Sequence, residues 1–171
     1  VPVLEDEFEV DLRFRGEPLP SLQSMDERDL TVTVRTFSKG LFPGVRLGWV
    51  HAGSEVRGPM AALKRFIDLE TSPLLQAALV DFLESGALAD YLSVLRDAVR
   101  KRHTAAEHAL KKHMPDVFTW TEPDGGFLRW LEGPPGFDAD RLVEAAAAQG
   151  VLVTSGRLFY SADHAREPVP G

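Results

Sequence analysis

Several features are missing from this sequence, and each absence narrows what the chain can do. It has no cysteine, which excludes disulfides, zinc ribbons and thiol catalysis. Basic residues are not in excess, because 19 lysines and arginines face 26 acidic residues that are spread along the chain, for a net charge of −7. This balance argues against nucleic-acid binding by the chain itself, since phosphate contacts need a basic face. No apolar run reaches membrane-spanning length, and the start has no signal-peptide pattern. We therefore expect a cytoplasmic protein that does not enter membranes.

What is present is the composition of a globular protein. Hydrophobic residues make up 44% and charged residues 26% of 171, which is enough for one ordinary core or two small packed layers. Both ends look cut, because Val1 begins inside an apolar stretch without a methionine and residues 165–171 contain no closing element. We expect a fragment of a larger protein.

Three short runs predict β-strands in the first third of the chain: Val1–Leu4, Leu30–Val34 and Leu47–Ala52. The first has the apolar character of a buried parallel strand. Carboxylates follow it directly, and Asp6 is one of them. Ligands of open α/β sheets bind outside the carboxyl ends of strands, so Asp6 is a candidate site residue. A solvated acidic loop is the alternative.

Helical patterns follow. One helix begins at Ser54, a second restarts at the hydroxyl cap and proline of Thr71-Ser72-Pro73, and a long helix covers Ala87–His113. The basic residues of the long helix, Arg96 included, are predicted to form its solvated face.

The pattern then returns to β-structure. Val117–Thr121 and Gly126–Leu131 are predicted to form a hairpin through the turn at residues 123–126. A helix over Phe137–Gly150 and a last strand, Val151–Val153, complete the order. This order predicts an α/β sheet domain, a long connecting helix and a small α+β domain.

One cluster has coherent chemistry. Lys39 lies in a turn between two predicted strands, beside the hydroxyls of Thr36 and Ser38, and Arg46 follows seven residues later. A lysine in such a turn is a candidate Schiff-base nucleophile, and the hydroxyls with Arg46 are candidate anion ligands. An ordinary surface loop is the alternative. No metal site is predicted, because the three histidines of the long helix recur every five residues and point about 140° apart.

The segment Thr36–Gly48 resembles the lysine motif of fold-type I pyridoxal-phosphate (PLP) aminotransferases. Its Leu41-Phe42-Pro43 version is similar to that of the MocR (GntR-type) group, which are transcription regulators with an aminotransferase-like domain behind a winged helix. Four other stretches match the family in the right order: Glu5–Phe14, Pro18–Leu22, Thr71–Gln76 and Gly125–Trp130.

The resemblance implies an α/β fold, namely the C-terminal part of a fold-type I transferase. Residues 1–86 would be the end of the PLP-binding large domain. Residues 87–171 would be the connecting helix and a truncated small α+β domain. The resemblance also implies a homodimer for the parent protein.

The resemblance further implies roles for individual residues. Lys39 would hold PLP as a Schiff base, and Asp6 would keep the pyridine nitrogen protonated. Arg46, with the hydroxyls of Thr36 and Ser38, would bind the cofactor phosphate.

Departures from the family pattern accompany these matches. Phe8 or Glu9, depending on the register, stands where the family has a tyrosine that donates to the ring oxygen of the cofactor. Neither Arg157 nor Arg166 lies in the motif of the arginine that binds the substrate carboxylate. The part of the site that precedes Val1 in the family is missing, so no turnover is expected from this chain alone.

Three functions remain open. The first is a PLP-binding effector domain of a MocR-type regulator, which would respond to an amino compound and reach DNA only through an upstream domain. The second is a free-standing class I/II aminotransferase that moves an amino group between an amino acid and a 2-oxo acid. The third is a cofactor-free remnant that serves in dimerisation or as a scaffold.

Overall fold

The structure is a computed structural model and describes residues 1–160. The chain forms two compact units. Unit 1 comprises Val1–Thr104 with Asp124–Phe127, and unit 2 comprises Ala105–Pro123 with the chain from Leu128 onward. The division between the units therefore falls inside the long helix. The domain boundary at residues 86/87 remains a prediction.

Unit 1 contains a three-stranded sheet of β1 (Val3–Asp6), β2 (Thr31–Thr36) and β3 (Gly48–His51) in the order β1-β2-β3. β1 is parallel and β3 antiparallel to β2. All three predicted strands are therefore found, with bounds shifted by one or two residues. β2 is β-branched throughout its first four residues, which favours extended backbone, and Thr31 and Thr33 point to its buried face.

The burial predicted for the first strand is wrong. Val3 and Leu4 are exposed, and all four residues of β3 are exposed as well. The apolar run identified a strand correctly, but burial also requires a second layer over that strand, and the run by itself cannot supply one.

Five helices occur in the described residues: α1 (Phe37–Gly40), α2 (Ser54–Ile67), α3 (Pro73–Glu84), α4 (Ala87–His113) and α5 (Ala139–Ala148). The Ser72 hydroxyl accepts the Leu75 N–H, as expected for the cap of α3. Gly86 ends α3 with φ +78°, a conformation that glycine adopts without strain. No helix among residues 1–160 is long and apolar enough to cross a membrane.

One face of α4 packs on the rest of unit 1. Leu92 and Val99 are buried on this face, and Arg96 lies between them at helical spacing. Arg96 was predicted on the solvated face, but its Nε donates to the backbone oxygen of Asp11 at 2.7 Å. A guanidinium can lie on a packed face when a backbone carbonyl there accepts its hydrogen bond. The basic pattern of the helix did not indicate such an acceptor.

The predicted hairpin of the C-terminal region is much shorter than expected. β4 (Thr119–Trp120) and β5 (Leu131–Glu132) pair antiparallel over two residues each. The turn at residues 123–126 does not continue this ladder, because Gly125 bridges to Arg13 in unit 1. A side chain at position 125 would lie 2.7 Å from the Arg13 Cα, so this approach requires glycine.

The last predicted strand is also absent from the described residues. Val151, Leu152 and Val153 are exposed and belong to no β-ladder, and the Val151 N–H donates instead to the Ala146 oxygen at 2.9 Å. They are followed by a short 3-10 turn, Gly156–Phe159. An apolar triplet does not become a strand without a neighbouring strand to pair with.

Candidate functional site

The lysine lies on a capped helical turn directly after β2. The extended residue Thr36 caps α1, and its hydroxyl oxygen accepts the Ser38 N–H at 3.1 Å. The same hydroxyl lies 3.4 Å from the backbone oxygen of Leu47, and the Phe37 N–H donates to that oxygen at 3.0 Å. These hydrogen bonds fix the backbone of the turn. Lys39 lies near the end of α1, and its side chain is exposed.

Arg46 follows on a second turn, in a left-handed conformation with φ 50° and ψ 32°. This region is uncommon for a residue with a side chain and costs energy. Its neighbours Val45 and Leu47 are buried, 6% and 5% exposed, and so hold the backbone in place. The Arg46 side chain is exposed.

Asp6 lies at the same edge of the sheet. It is the last residue of β1 and pairs in register with Val34, two residues before Thr36. The Glu7 N–H continues the ladder to the Val34 oxygen at 2.9 Å. The parallel ends of β1 and β2 therefore carry Asp6 on one and the Lys39 turn on the other, as the sequence led us to expect.

These side chains are unengaged. Among residues 1–160, no hydrogen bond or ion pair is formed by the side chains of Asp6, Ser38, Lys39 or Arg46. An amine, a guanidinium, a hydroxyl and a carboxylate at one sheet edge match the needs of a phosphorylated pyridine aldehyde. The donor set of the edge therefore fits PLP.

Two other predicted site residues are differently placed. The Thr36 hydroxyl is used within its own turn, as described above, so Ser38 is the hydroxyl that remains available. Phe8 is exposed, whereas Glu9 accepts the Phe127 N–H at 3.1 Å through Oε2. Glu9 therefore anchors the loop at residues 125–127.

Glu5, next to Asp6, has a structural role. Its carboxylate accepts the backbone N–H groups of Leu22 at 2.5 Å and Gln23 at 3.2 Å, and the Thr33 hydroxyl at 3.1 Å. Burial acts to raise the pKa of Glu5, but these three hydrogen bonds outweigh it and leave that pKa below its usual value. Glu5 is thus an ionised anchor for the 3-10 turn at residues 23–25.

Sequence reasoning missed Arg35. Its guanidinium forms ion pairs with Glu7, the residue after Asp6, and with Asp11. It also lies over the ring of Trp49. The only available signal was its position in a strand directly before Thr36, which does not reveal partners on other segments. Sequence reasoning also missed Tyr91 of α4, whose hydroxyl donates to the Leu41 oxygen at 3.2 Å and so holds the chain that leaves α1.

A cleft of about 690 Å³ lies in unit 1 and is lined in part by Phe37 and Leu47, which are neighbours of Thr36 and Arg46 in the chain. Its lining also includes Trp49 of β3, Lys64 of α2, Leu83 of α3 and Glu70 in the loop between these two helices. None of the candidate cofactor residues lines this cleft.

Neither arginine considered for substrate binding joins this edge. Arg157 pairs with Asp140 at 2.8 Å, and both side chains are about half exposed in unit 2. Arg166 lies outside the described residues.

The sequence matches the family model of aminotransferase class I and II over residues 7–168. The chain belongs to this family. Aromatic-amino-acid aminotransferase 1 of Thermococcus litoralis is 32% identical over 93% of this chain and 38% of its own length. A probable rhizopine catabolism regulatory protein, MocR of Rhizobium meliloti, is 30% identical over 93% of this chain and 33% of its own length.

A solved structure supports the fold. Kynurenine aminotransferase of Pyrococcus horikoshii, in complex with PMP, superposes with a TM-score of 0.90 at 30% identity, over 98% of this chain and 41% of its own length. The predicted α/β fold and the resemblance to both aminotransferases and MocR-type regulators are thereby confirmed. The phosphorylated pyridine in that relative supports PLP as the cofactor of the family. The chain spans less than half the length of these relatives.

Proposed function

We propose that this chain is part of the PLP-binding, aminotransferase-like domain of a MocR-type transcription regulator, with the cofactor attached to Lys39. Among residues 1–160, the observation that carries the proposal is the set of unpaired Asp6 and Lys39 side chains at the ends of two parallel strands, with unpaired Arg46 two residues before β3, whose Gly48 pairs with Thr36. A protein of this kind would use an amino compound as effector, act in the cytoplasm as a homodimer, and reach DNA through another domain.

Each residue has a task that follows from its chemistry. The Lys39 amine forms the attachment to the cofactor. Arg46 and Ser38 bind the phosphate by charge-assisted hydrogen bonds, and Thr36 keeps their turn in shape. Asp6 holds a proton at the pyridine nitrogen. When bound, PLP supplies an electron sink for the bonds of an attached amino compound.

Phe8 makes this site different in kind from one with a tyrosine. A phenyl ring would be able to pack against the cofactor but not to donate a hydrogen bond to it. The lost donor is a reason to consider a cofactor-free scaffold as a further alternative, because fewer groups would tune the nitrogen attached to the cofactor at Lys39. The regulator is favoured by Leu41-Phe42-Pro43, which resembles the MocR version of the lysine motif, and by the position of Phe8 two residues after Asp6.

A free-standing aminotransferase is the second candidate. The enzymes of Thermococcus litoralis and Pyrococcus horikoshii are as similar to this chain as the regulator is. An enzyme would convert an amino acid and a 2-oxo acid with repeated turnover, while an effector domain would bind the amino compound and change DNA affinity. Measuring transamination and DNA binding of the full-length protein with the same amino compounds separates the two.

Attachment to Lys39 is tested by absorbance of the full-length protein with PLP, before and after borohydride reduction. We expect Lys39→Ala to abolish the visible band and the reducible bond. Lys101→Ala is the matched control, because Lys101 is an exposed lysine of α4 with no ion pair among residues 1–160. A band that survives in Lys39→Ala contradicts the assignment. The absence of a band in the unsubstituted protein would favour a cofactor-free scaffold.

A further inference from the structure

Arg35 connects three segments around the candidate cofactor site. Its Nε lies 3.1 Å from Glu7 Oε2, and its Nη2 lies 3.2 Å from Asp11 Oδ1. Its guanidinium carbon lies 5.5 Å from the centre of the Trp49 ring on β3. The Arg35 side chain is 28% exposed and that of Glu7 15%. The pair is therefore better shielded from water and salt than an ordinary surface ion pair.

The partners of this ion pair are sequence neighbours of two candidate site residues. Arg35 directly precedes Thr36, the cap of the turn that carries Lys39. Glu7 directly follows Asp6 at the end of β1. The Arg35–Glu7 ion pair thus joins the two strand ends that present the lysine and the aspartate. The second ion pair, to Asp11, holds the far end of the acidic segment to the same arginine.

We propose that Arg35 is a positioning residue of the cofactor site, which acts through Glu7 and Asp11 and holds the acidic segment beside the Lys39 turn. This inference rests on the proposed PLP site. Arginine suits the role because its planar guanidinium binds two carboxylates in fixed directions and stacks on an aromatic ring at once. Lysine keeps the charge but not this geometry.

The charges at this edge make the inference measurable. They come from the acidic segment, the lysine turn, β2 and α4, and include Asp6, Glu7, Glu9, Asp11, Arg35, Lys39, Arg46 and Arg96. Arg35 compensates the two carboxylates that it contacts. Without its charge, the local potential becomes more negative, and the protonated form of the amine at Lys39 becomes more stable. The absorption band of the bound cofactor changes with the protonation of this nitrogen. The pKa read from the pH dependence of the band, called the pKa of the band below, is therefore expected to rise.

The experiment is a pH titration of the absorption band of the PLP-loaded full-length protein. We expect Arg35→Met to raise the pKa of the band by about 0.5 to 1 unit. Arg35→Lys should shift it by less than half as much, because the charge is retained. Glu7→Gln should lower the pKa, and the double variant with Arg35→Met should return it toward the original value. Arg28→Met is the control, since that exposed arginine has no side-chain partner among residues 1–160.

The outcomes separate this inference from the proposed function. If the unsubstituted protein forms no band with PLP, the proposed function and the role of Arg35 both fail. If the band forms but its pKa is the same in Arg35→Met, Glu7→Gln and Arg28→Met, only the role of Arg35 is overturned. Should Arg35→Met not fold, Arg35→Lys and Glu7→Gln decide, because a pKa unchanged in both contradicts the inference.

Discussion

Arg46 shows how one residue combines backbone strain with a candidate ligand. Its φ of 50° lies in the left-handed region, which costs a residue with a Cβ about 1 to 2 kcal/mol. The buried side chains of Val45 and Leu47 hold it there. Strain of this kind persists where the surrounding structure enforces it, and it is common at ligand sites. The backbone conformation at position 46 therefore sets the direction in which the exposed Arg46 side chain leaves the chain.

Two substitutions at position 46 separate the strain from the ligand role. Arg46→Gly removes both the guanidinium and the strain, whereas Arg46→Ala removes only the guanidinium. We expect the glycine variant to have a free energy of unfolding about 1 kcal/mol higher than the alanine variant. Both should bind PLP about tenfold or more weakly, because each lacks one charge-assisted hydrogen bond. Denaturant unfolding without cofactor and PLP titration measure the two effects. Equal free energies of unfolding for the two variants would contradict the claim that the backbone at position 46 is strained.

The sequence revealed the residues of the site better than their partners. The Lys39 turn and Asp6 were predicted because lysine, hydroxyls and a strand-end acid form a local pattern. The partners of Arg35 lie on two other segments, and Arg35 reaches them only because β1 and β2 are parallel and in a particular register. A single sequence does not specify that register.

At the scale of elements, prediction succeeded where the pattern was long. The bounds of α4, Ala87–His113, are those predicted, because 27 residues of helical periodicity leave little ambiguity. The hairpin of β4 and β5 was overestimated, because Gly125 pairs with the distant Arg13. The glycines were recognised as a turn signal, but their close approach to another segment was not.

Helix α4 also anchors unit 2 through a buried carboxylate. Glu107 is 8% exposed and binds the Arg129 guanidinium, the Trp120 Nε1 at 3.0 Å and the Lys111 Nζ at 3.1 Å. The hydrogen bond from Arg129 is the main cause that lowers the pKa of Glu107 to about 2, and burial opposes it. Lys111 and Trp120 lower it further. In the folded state, Glu107 therefore stays ionised at pH values well below 4.5, its ordinary pKa.

This pKa predicts how acid affects the stability of unit 2. A carboxylate with a lowered folded-state pKa stabilises the fold fully above its unfolded pKa, near 4.5, and loses that contribution as the pH falls toward about 2. The stability difference between the original protein and Glu107→Gln should therefore narrow over this interval. Urea unfolding at pH 6, about 4 and about 3 measures it. Glu144→Gln on α5, which removes a carboxylate with no partner among residues 1–160, should show no such narrowing. A constant difference for Glu107→Gln would contradict the assignment.

At the scale of the whole molecule, apolar side chains remain uncovered in the described residues. Helices α2 and α3 contain no buried residue. Phe66 is 89% and Leu74 78% exposed, although their helical spacing is that of a packed face. Exposed apolar surface on this scale marks a contact surface or a liability to associate. The relatives are more than twice as long as the part this chain matches, so a full-length protein of that size has chain available to cover these faces.

The uncovered faces predict how the chain behaves when expressed alone. We expect residues 1–171 by themselves to bind a hydrophobic dye such as ANS and to associate, and the full-length protein to do both more weakly. Phe66→Ser and Leu74→Ser should each reduce dye binding by the isolated chain, because each removes an exposed apolar side chain. Ala62→Ser is the matched control on α2, since it changes little apolar area. Dye fluorescence and size-exclusion chromatography measure the two properties. Equal dye binding per molecule by the isolated chain and the full-length protein would mean that nothing covers these helices, and that their exposure is a property of the whole protein.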